Sequence, residues 1–440
     1  MMLDFLNDYR GTSIICNDQI FSYIELNLRI KFYKDLLNKY TNKVIGIAAE
    51  FDFESISLLL ALSTTNNIAV PLVYTTEEEF QNKILTSKIN IIYKNNKEAQ
   101  FLWDQEISNE KHLNLKPGII LFSSGTTGLP KMMFHEFSKI FNVLKQPSKR
   151  QRDIRILLFL MFDHIGGINT LLNCIKDGST IIIPSSRTPD YIISLINKFN
   201  VNILPTTPTF LNLMLINISD NFDKLNSLKL ISYGTERMPE AVLIKLKKYL
   251  PHVKLLQTFG TSETGILKTI SKSSDSLYFK IDDDRYSYKI VEDILFIKSA
   301  MNINGYLNQD SDKFDEDGWY NTGDIIKVDE DGFLMVIGRI NEIINIGGLK
   351  VMPAEIEKVL MEFDGILDCM AYGEFNALTG QMVSSKIVLD NSKFMDVSEI
   401  DIKKSIKNYC SSKLDKYKVP VKINFVDKIE FTNRFKKVIK

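Results

Sequence analysis

Short apolar runs alternate with amphipathic segments along most of the chain. "KVIGIAA" is a run suited to a buried strand, and "ESISLLLALSTT" after it has the spacing and length of a helix. The same alternation recurs in "STIIIP", "DYIISLINKF", "NVNILPTTP", "LKLISYG" and "VKLLQTFG". Strands spaced by helices predict an α/β fold with layered, mostly parallel sheets flanked by helices. Ligands of such sheets collect at the carboxyl ends of strands, so four loops stand out. They follow "ILF" at Ser123, "LISY" at Gly234 and "LLQTF" at Gly260, and precede "DII" at Thr322. From about Arg339 the texture changes to a lysine-rich run of strands and helices, which predicts a small α+β domain. The reading divides the chain into 1–339 and 340–440.

Composition narrows the classes. A chain of 440 residues, 45% hydrophobic and 25% charged, has material for a globular protein of at least two domains. A net charge of zero argues against a protein held to nucleic acid by phosphate attraction. The four cysteines, Cys16, Cys174, Cys369 and Cys410, lack metal-ligand spacing and read as buried thiols of a reducing compartment. The opening "MMLDFLNDYRG" carries acids early, with no apolar core of signal-peptide length. Nor does any stretch reach the roughly 18 apolar residues of a membrane span, so the expectation is a cytoplasmic protein.

The chemistry starts at "ILFSSGTTGLPK". Ser123, Ser124, Thr126 and Thr127 offer hydroxyls, Gly125 and Gly128 let backbone N–H groups approach an anion, and Lys131 adds a cation. Leu129 and Pro130 separate the second glycine from the lysine and Met132 follows it, so this is not the P-loop of a kinase or switch GTPase. Taken alone, such a loop could equally be a hydrophilic turn. "TFGTSETG" adds an aromatic ring at Phe259 that can stack on a base, and a carboxylate at Glu263 that can hold the Mg²⁺ of a triphosphate. "GWYNTGDI" places Asp324 at a turn before an apolar run, where it can accept from a ribose diol. "GRINEIINIGGLKVMPAEIE" brings Arg339, the pair Gly347 and Gly348, and a helix led by Pro353.

These motifs, with "FSYIEL", "GTERMP", "NGYLN" and "LDKYKVP", follow one another in an order that resembles the adenylate-forming superfamily of acyl-CoA synthetases, adenylation domains and firefly luciferase. The resemblance implies a large amino-terminal domain, a small mobile lid and a site between them. It also implies ATP-dependent conversion of a carboxylic acid to acyl-AMP and pyrophosphate, then transfer to a thiol. By that resemblance Ser123, Ser124, Gly125, Thr126, Thr127, Gly128 and Lys131 would hold the β- and γ-phosphates. Ser262 would contact a phosphate oxygen and Glu263 would bind Mg²⁺. Phe259 and Gly260 would face adenine on one side, Gly234, Thr235 and Glu236 on the other, and Asp324 and Arg339 would take the ribose hydroxyls.

Three regions leave alternatives. The family's tail carries a Thr, then a Gly and an essential Lys; "TNRFKK" aligns Lys436 with that Lys, puts Phe435 where the Gly stands, and offers Lys437 as a register shifted by one. At the lid's swivel, where the family has Asp or Lys, the chain has Asn341, and Gly348 would line the thiol's path. In "LFLMFDHIGGINTLL" either Asp163 or His164 faces the acid, beside Gly166, Gly167 and the wall at Pro208. His164 at the entrance would suit a neutral acyl chain, and Asp163 a substrate ammonium or hydroxyl. The favoured reading is an acyl- or aryl-CoA ligase using ATP, Mg²⁺ and CoA. The others are an amino- or fatty-acid adenylating enzyme that loads the phosphopantetheine of a carrier protein, and an inactive adenylate-binding scaffold.

Overall fold

A computed structural model of the chain describes residues 3–94, 98–101, 116–123, 130–218, 221–303, 305–309, 313–432, 435 and 437–438. The apolar runs form strands where the alternation predicts them. Lys254–Gln257, Leu230–Tyr233, Ile203–Thr206, Arg155–Leu157, Thr180–Ile183 and Thr12–Cys16 lie parallel in that spatial order, with Gln19–Ser22 antiparallel at the edge. A second sheet sets Ile91–Lys94, Val44–Ala48, Ile68–Leu72 and Gly118–Ser123 parallel, and Lys131–Glu136 antiparallel beside the last.

Helices fill the space between these two sheets. Phe53–Leu62 is started by the Asp52 side chain, which accepts from Ser55 N, and is buried at every position but Glu54, as its otherwise largely apolar sequence requires. Tyr23–Leu37, closed at its start by a reciprocal Ser22–Glu25 capping box, buries only its Tyr23, Leu26, Ile30, Tyr33 and Leu37 face. One continuous apolar cluster joins Ile14 and Ile181 of the first sheet, through Leu26, Leu59 and Leu171 of the helices, to Ile45 and Ile119 of the second.

A third sheet was not foreseen. Thr269–Ser271, Phe279–Ile281, Leu334–Arg339, Tyr320–Val328, Ile294–Ser299 and Tyr286–Val291 form an antiparallel array. It corrects the expected position of Asp324: the residue lies inside the strand Tyr320–Val328, not at a turn. From Ile344 onward the chain builds a separate sheet of Leu349–Val351, Ile344–Ile346, Gly380–Leu389, Ile366–Asn376 and Lys422–Phe425. Its core, around Val351, Ile356, Ile387 and Ile406, is its own. All four cysteines are buried free thiols. No helix among the described residues is long and apolar enough to cross a membrane.

Candidate active site

Two cavities meet where the strand ends of the first three sheets converge. The first, of about 470 Å³, brings together Ser123, Lys131, Gly234, Thr235, Phe259, Gly260, Ser262, Glu263, Arg339 and Asn341, with His164 and Gly166 on another wall. The second, of about 550 Å³, shares Thr235, Phe259, Gly260, Arg339 and Asn341, and adds Pro208, Glu236, Asp324 and residues of the carboxy-terminal sheet.

Strand register assembles the charged part. Ser123, the last residue of its strand, pairs directly with Lys131, the first of the next. Asn308 fixes this entry by accepting from Met132 N at 2.8 Å and donating to the Pro130 carbonyl at 2.8 Å. The Lys131 ammonium sits 5.0 Å over the Tyr306 ring, whose hydroxyl donates to Glu263 Oε1 at 2.7 Å. Glu263 is buried, so it is a carboxylate already oriented and largely stripped of water. His135, buried on the strand Lys131–Glu136, reaches the Ser262 backbone; burial pushes its imidazole down to about 4, which keeps it neutral.

Opposite lies the turn after Tyr233. Gly234 passes so close to Thr258 that a Cβ there would sit 2.5 Å from the Thr258 hydroxyl and 2.9 Å from its carbonyl oxygen. Thr235 follows at φ +71°, with a buried hydroxyl that has no hydrogen-bond partner among the described residues. A strained backbone and an orphaned hydroxyl on a cavity wall are what a polar ligand would satisfy. Glu236 Oε1 accepts from Thr209 N at 2.7 Å. Asp324 and Arg339 are cross-strand partners, and Arg339 Nε donates to Asp324 Oδ1 at 2.8 Å. Burial raises the Asp324 carboxyl above the usual carboxylate range, and the guanidinium pulls it back.

The remaining wall is the helix Ile165–Asp177, which contributes Asn169, Thr170 and Asn173 beside Ile156, Leu160 and Ile203. His164 caps this helix: its Nδ1 accepts from Gly166 N at 3.1 Å, the tautomer that leaves Nε2 carrying the hydrogen. Gly167 is forced by proximity, since a Cβ would meet the Met161 carbonyl oxygen at 2.1 Å. Asp163 is not among the residues lining this cavity. It is 2% exposed, and its Oδ2 lies 3.5 Å from the ammonium of Lys83, itself 2% exposed and 2.8 Å from Glu79. Of the two alternatives at this position, His164 is on the wall and Asp163 is in a buried ion pair.

The chain resembles known proteins in sequence and in fold. A family model described as AMP-binding enzyme matches residues 63–287, and a second, the AMP-binding enzyme C-terminal domain, matches 355–436. The chain belongs to the AMP-binding enzyme family. Within that family, 2-succinylbenzoate–CoA ligase of Staphylococcus aureus is 28% identical over 333 residues, covering 71% of this chain and 64% of that protein. A 4-coumarate-CoA ligase of Narcissus pseudonarcissus is 27% identical over 339 residues, covering 70% of this chain and 61% of the other. The match thus spans under two thirds of the length of these relatives. Among solved structures, ATP-bound MatB from Rhodopseudomonas palustris superposes with a TM-score of 0.80 at 18% identity, covering 98% of this chain and 95% of that one. The o-succinylbenzoate CoA synthetase of Bacillus subtilis, in complex with its acyl-adenylate intermediate, gives 0.74 at 20% identity over 96% and 93%. The expected superfamily and the α/β architecture are both borne out.

Several expected site residues of this AMP-binding enzyme, Ser124, Gly125, Thr126, Thr127, Gly128 and Lys436, lie outside the described residues. The motifs assign no role to three others of consequence: Tyr306 and Asn308 sit in "NGYLN", and His135 lies on the strand Lys131–Glu136. Gly348 is at φ +91° in the exposed turn between Ile344–Ile346 and Leu349–Val351. Asn341 lies in the single turn Ile340–Glu342 that joins the third sheet to the carboxy-terminal one. Lys437 donates to Asp368 Oδ1 and to the Cys369 carbonyl, each at 2.7 Å. Burial alone would favour its neutral form, but the Asp368 and Glu357 carboxylates raise its pKa above the ordinary lysine value.

Proposed function

We propose that this chain is an AMP-forming acid–thiol ligase that joins a carboxylic acid to CoA through an acyl-adenylate. The observation that carries the reading is a single cavity whose walls combine Ser123, Lys131, Ser262 and Glu263 with the face of the helix Ile165–Asp177. Phosphate-binding and acid-binding groups then address the same space, as in-line attack of a carboxylate on an α-phosphorus demands. The relatives named as CoA ligases support the same reading.

In this scheme Lys131 and Ser123, with Ser124, Gly125, Thr126, Thr127 and Gly128, hold the β- and γ-phosphates of ATP, and Ser262 contacts a phosphate oxygen. The orphaned Thr235 hydroxyl and the close approach at Gly234 fit the edge of a nucleotide, with Glu236, Phe259 and Gly260 around the base and Asp324 and Arg339 at the ribose. Glu263, oriented by Tyr306, fits a Mg²⁺ ligand; that ion would neutralise charge on the phosphates as pyrophosphate leaves. The acid would lie between His164 and Asn173, with Gly166 on its wall; Pro208 lines the second cavity and Gly167 packs against the Met161 carbonyl. A carboxylate oxygen attacks the α-phosphorus, pyrophosphate departs, and the CoA thiol then attacks the acyl carbon and releases AMP.

The division near residue 339 belongs to the same proposal. Residues 1–339 bind ATP and acid, while 340–440 turn about Asn341 to bring first Lys436 and then the Gly348 turn to the site. Lys437 is held by Asp368 and Cys369, which favours Lys436 over Lys437 as the lid lysine. The test is exchange of labelled pyrophosphate into ATP with a panel of acids, followed by CoA acylation. Exchange with aliphatic or aromatic acids and release of their CoA esters is expected. No exchange with any acid refutes ligase activity, and exchange without acylation of CoA refutes CoA as the acceptor.

A further inference from the structure

The tail crosses from one body of the molecule to the other within three residues. At Phe435 the backbone is left-handed, φ +55°, and closes a turn in which Phe435 N donates to the Thr432 carbonyl at 2.8 Å. Such a backbone favours glycine, and a bulky side chain there needs a compensating contact. The ring supplies one. It is 8% exposed, with centroids 5.3 Å from Phe159 and 5.1 Å from Phe210, both in the apolar core of the amino-terminal region. Phe159 follows the strand Arg155–Leu157 and Phe210 belongs to the helix Pro208–Asn217, so two separate elements form its socket. Two residues on, Lys437 is bonded to Asp368 and Cys369 of the carboxy-terminal sheet. Neighbouring contacts across the same seam are polar: Lys358 to Glu240 at 2.7 Å, and Asn212 to the Leu367 carbonyl at 3.4 Å.

We propose that Phe435 is a positioning residue, an aromatic latch that seats the tail on the Phe159–Phe210 socket for acyl-adenylate formation and must withdraw before the thiol step. The residues on either side of Lys436 are thereby anchored to opposite bodies, Phe435 to the amino-terminal one and Lys437 to the carboxy-terminal one. The inference rests on the ligase reading given above. It adds that the ring at this position, and not the left-handed backbone alone, governs the first half-reaction.

Three variants of the full chain separate ring from backbone. Phe435→Ala keeps the strained backbone and removes the ring, Phe435→Gly removes both, and Phe435→Leu keeps apolar bulk. Pyrophosphate exchange should fall on the order of tenfold or more in Ala and Gly and much less in Leu. Thioester formation from supplied acyl-AMP and CoA should hold at the wild-type rate or rise. Wild-type exchange in Phe435→Gly overturns the latch, as does equal loss of both half-reactions in a variant that melts like the wild type. Tryptic release of the tail, followed by intact mass, gives a readout independent of catalysis. Cleavage should be at least about tenfold faster in Ala and Gly, since protection tracks the docked population; cleavage at the wild-type rate overturns the latch. Wild-type protein that exchanges no acid, with a tail still protected by the ring, overturns the ligase reading and leaves the latch standing.

Discussion

The cavity's two sides are held by different means. On the side proposed for the nucleotide, positions are set by strand register: Ser123 faces Lys131, and Asp324 faces Arg339, because the strands pair that way. Charges are coupled there in chains such as Lys131–Tyr306–Glu263. On the side proposed for the acid, one helix face presents neutral amides and a hydroxyl, with Asp177 at the helix's end, while Asp163 lies off the cavity beside Lys83. A side built from register tolerates little change, because each group is fixed by backbone on two strands. A side built from one helix face can change its ligand preference residue by residue while the helix stays in place.

The largest expected effect tests the rigid side. Lys131→Ala should lower acid-dependent pyrophosphate exchange by about 100-fold or more, since a preorganised cation opposite developing charge is worth ~3 kcal/mol. A loss under threefold would show that register alone does not make this side the catalytic one. Next, Asp163→Ala should destabilise the fold by about 2 kcal/mol in urea, because the buried Lys83 ammonium loses one of two carboxylate partners and keeps Glu79. The KM for the acid should change little; a large rise in KM with unchanged stability would return Asp163 to the cavity wall. Asn173→Leu should shift the kcat/KM ratio between a polar and an apolar acid by about tenfold, with exchange still measurable, as one pocket contact commonly does. An unchanged ratio would take the acid away from this face.

The smallest effect concerns His135. Its folded pKa lies near 4, below the ordinary imidazole value, so the unfolded chain takes up a proton first as the pH falls. The stability it contributes is present above about pH 6.5 and is lost on acidification towards pH 4. Between pH 7 and 5.5 the cost should be about 1 kcal/mol. His135→Gln should flatten that part of the melting-temperature profile; an unaltered slope would remove His135 from the support of Ser262.

The strands beside the proposed nucleotide side were legible because they are locally specified. Val44–Ala48 and Thr180–Ile183 are short runs rich in β-branched residues that need no distant partner to be read. The antiparallel sheet was not legible for equally local reasons. Its hairpin between Tyr286–Val291 and Ile294–Ser299 turns on Glu292 and Asp293, both at positive φ, where Asn-Gly or Asp-Gly would have announced it. Asp324 occupies an inward position in the alternation of Tyr320, Thr322 and Ile326, so a buried charge made a strand look like a turn. The Lys83–Asp163 pair depends on two segments meeting that share no local pattern. Nothing short of the fold could have drawn Asp163 away from the acid.

The strand Leu334–Arg339 has one further consequence. Its last residue is pinned across the sheet to Asp324, and the turn holding Asn341 begins at the next residue. If rotation occurs at Asn341, the whole lever arm lies on the carboxy-terminal side and the axle bearing is the Asp324–Arg339 pair itself. A ribose gripped there would stay still while the carboxy-terminal body swings, so the adenylate could wait in place through the change of partners.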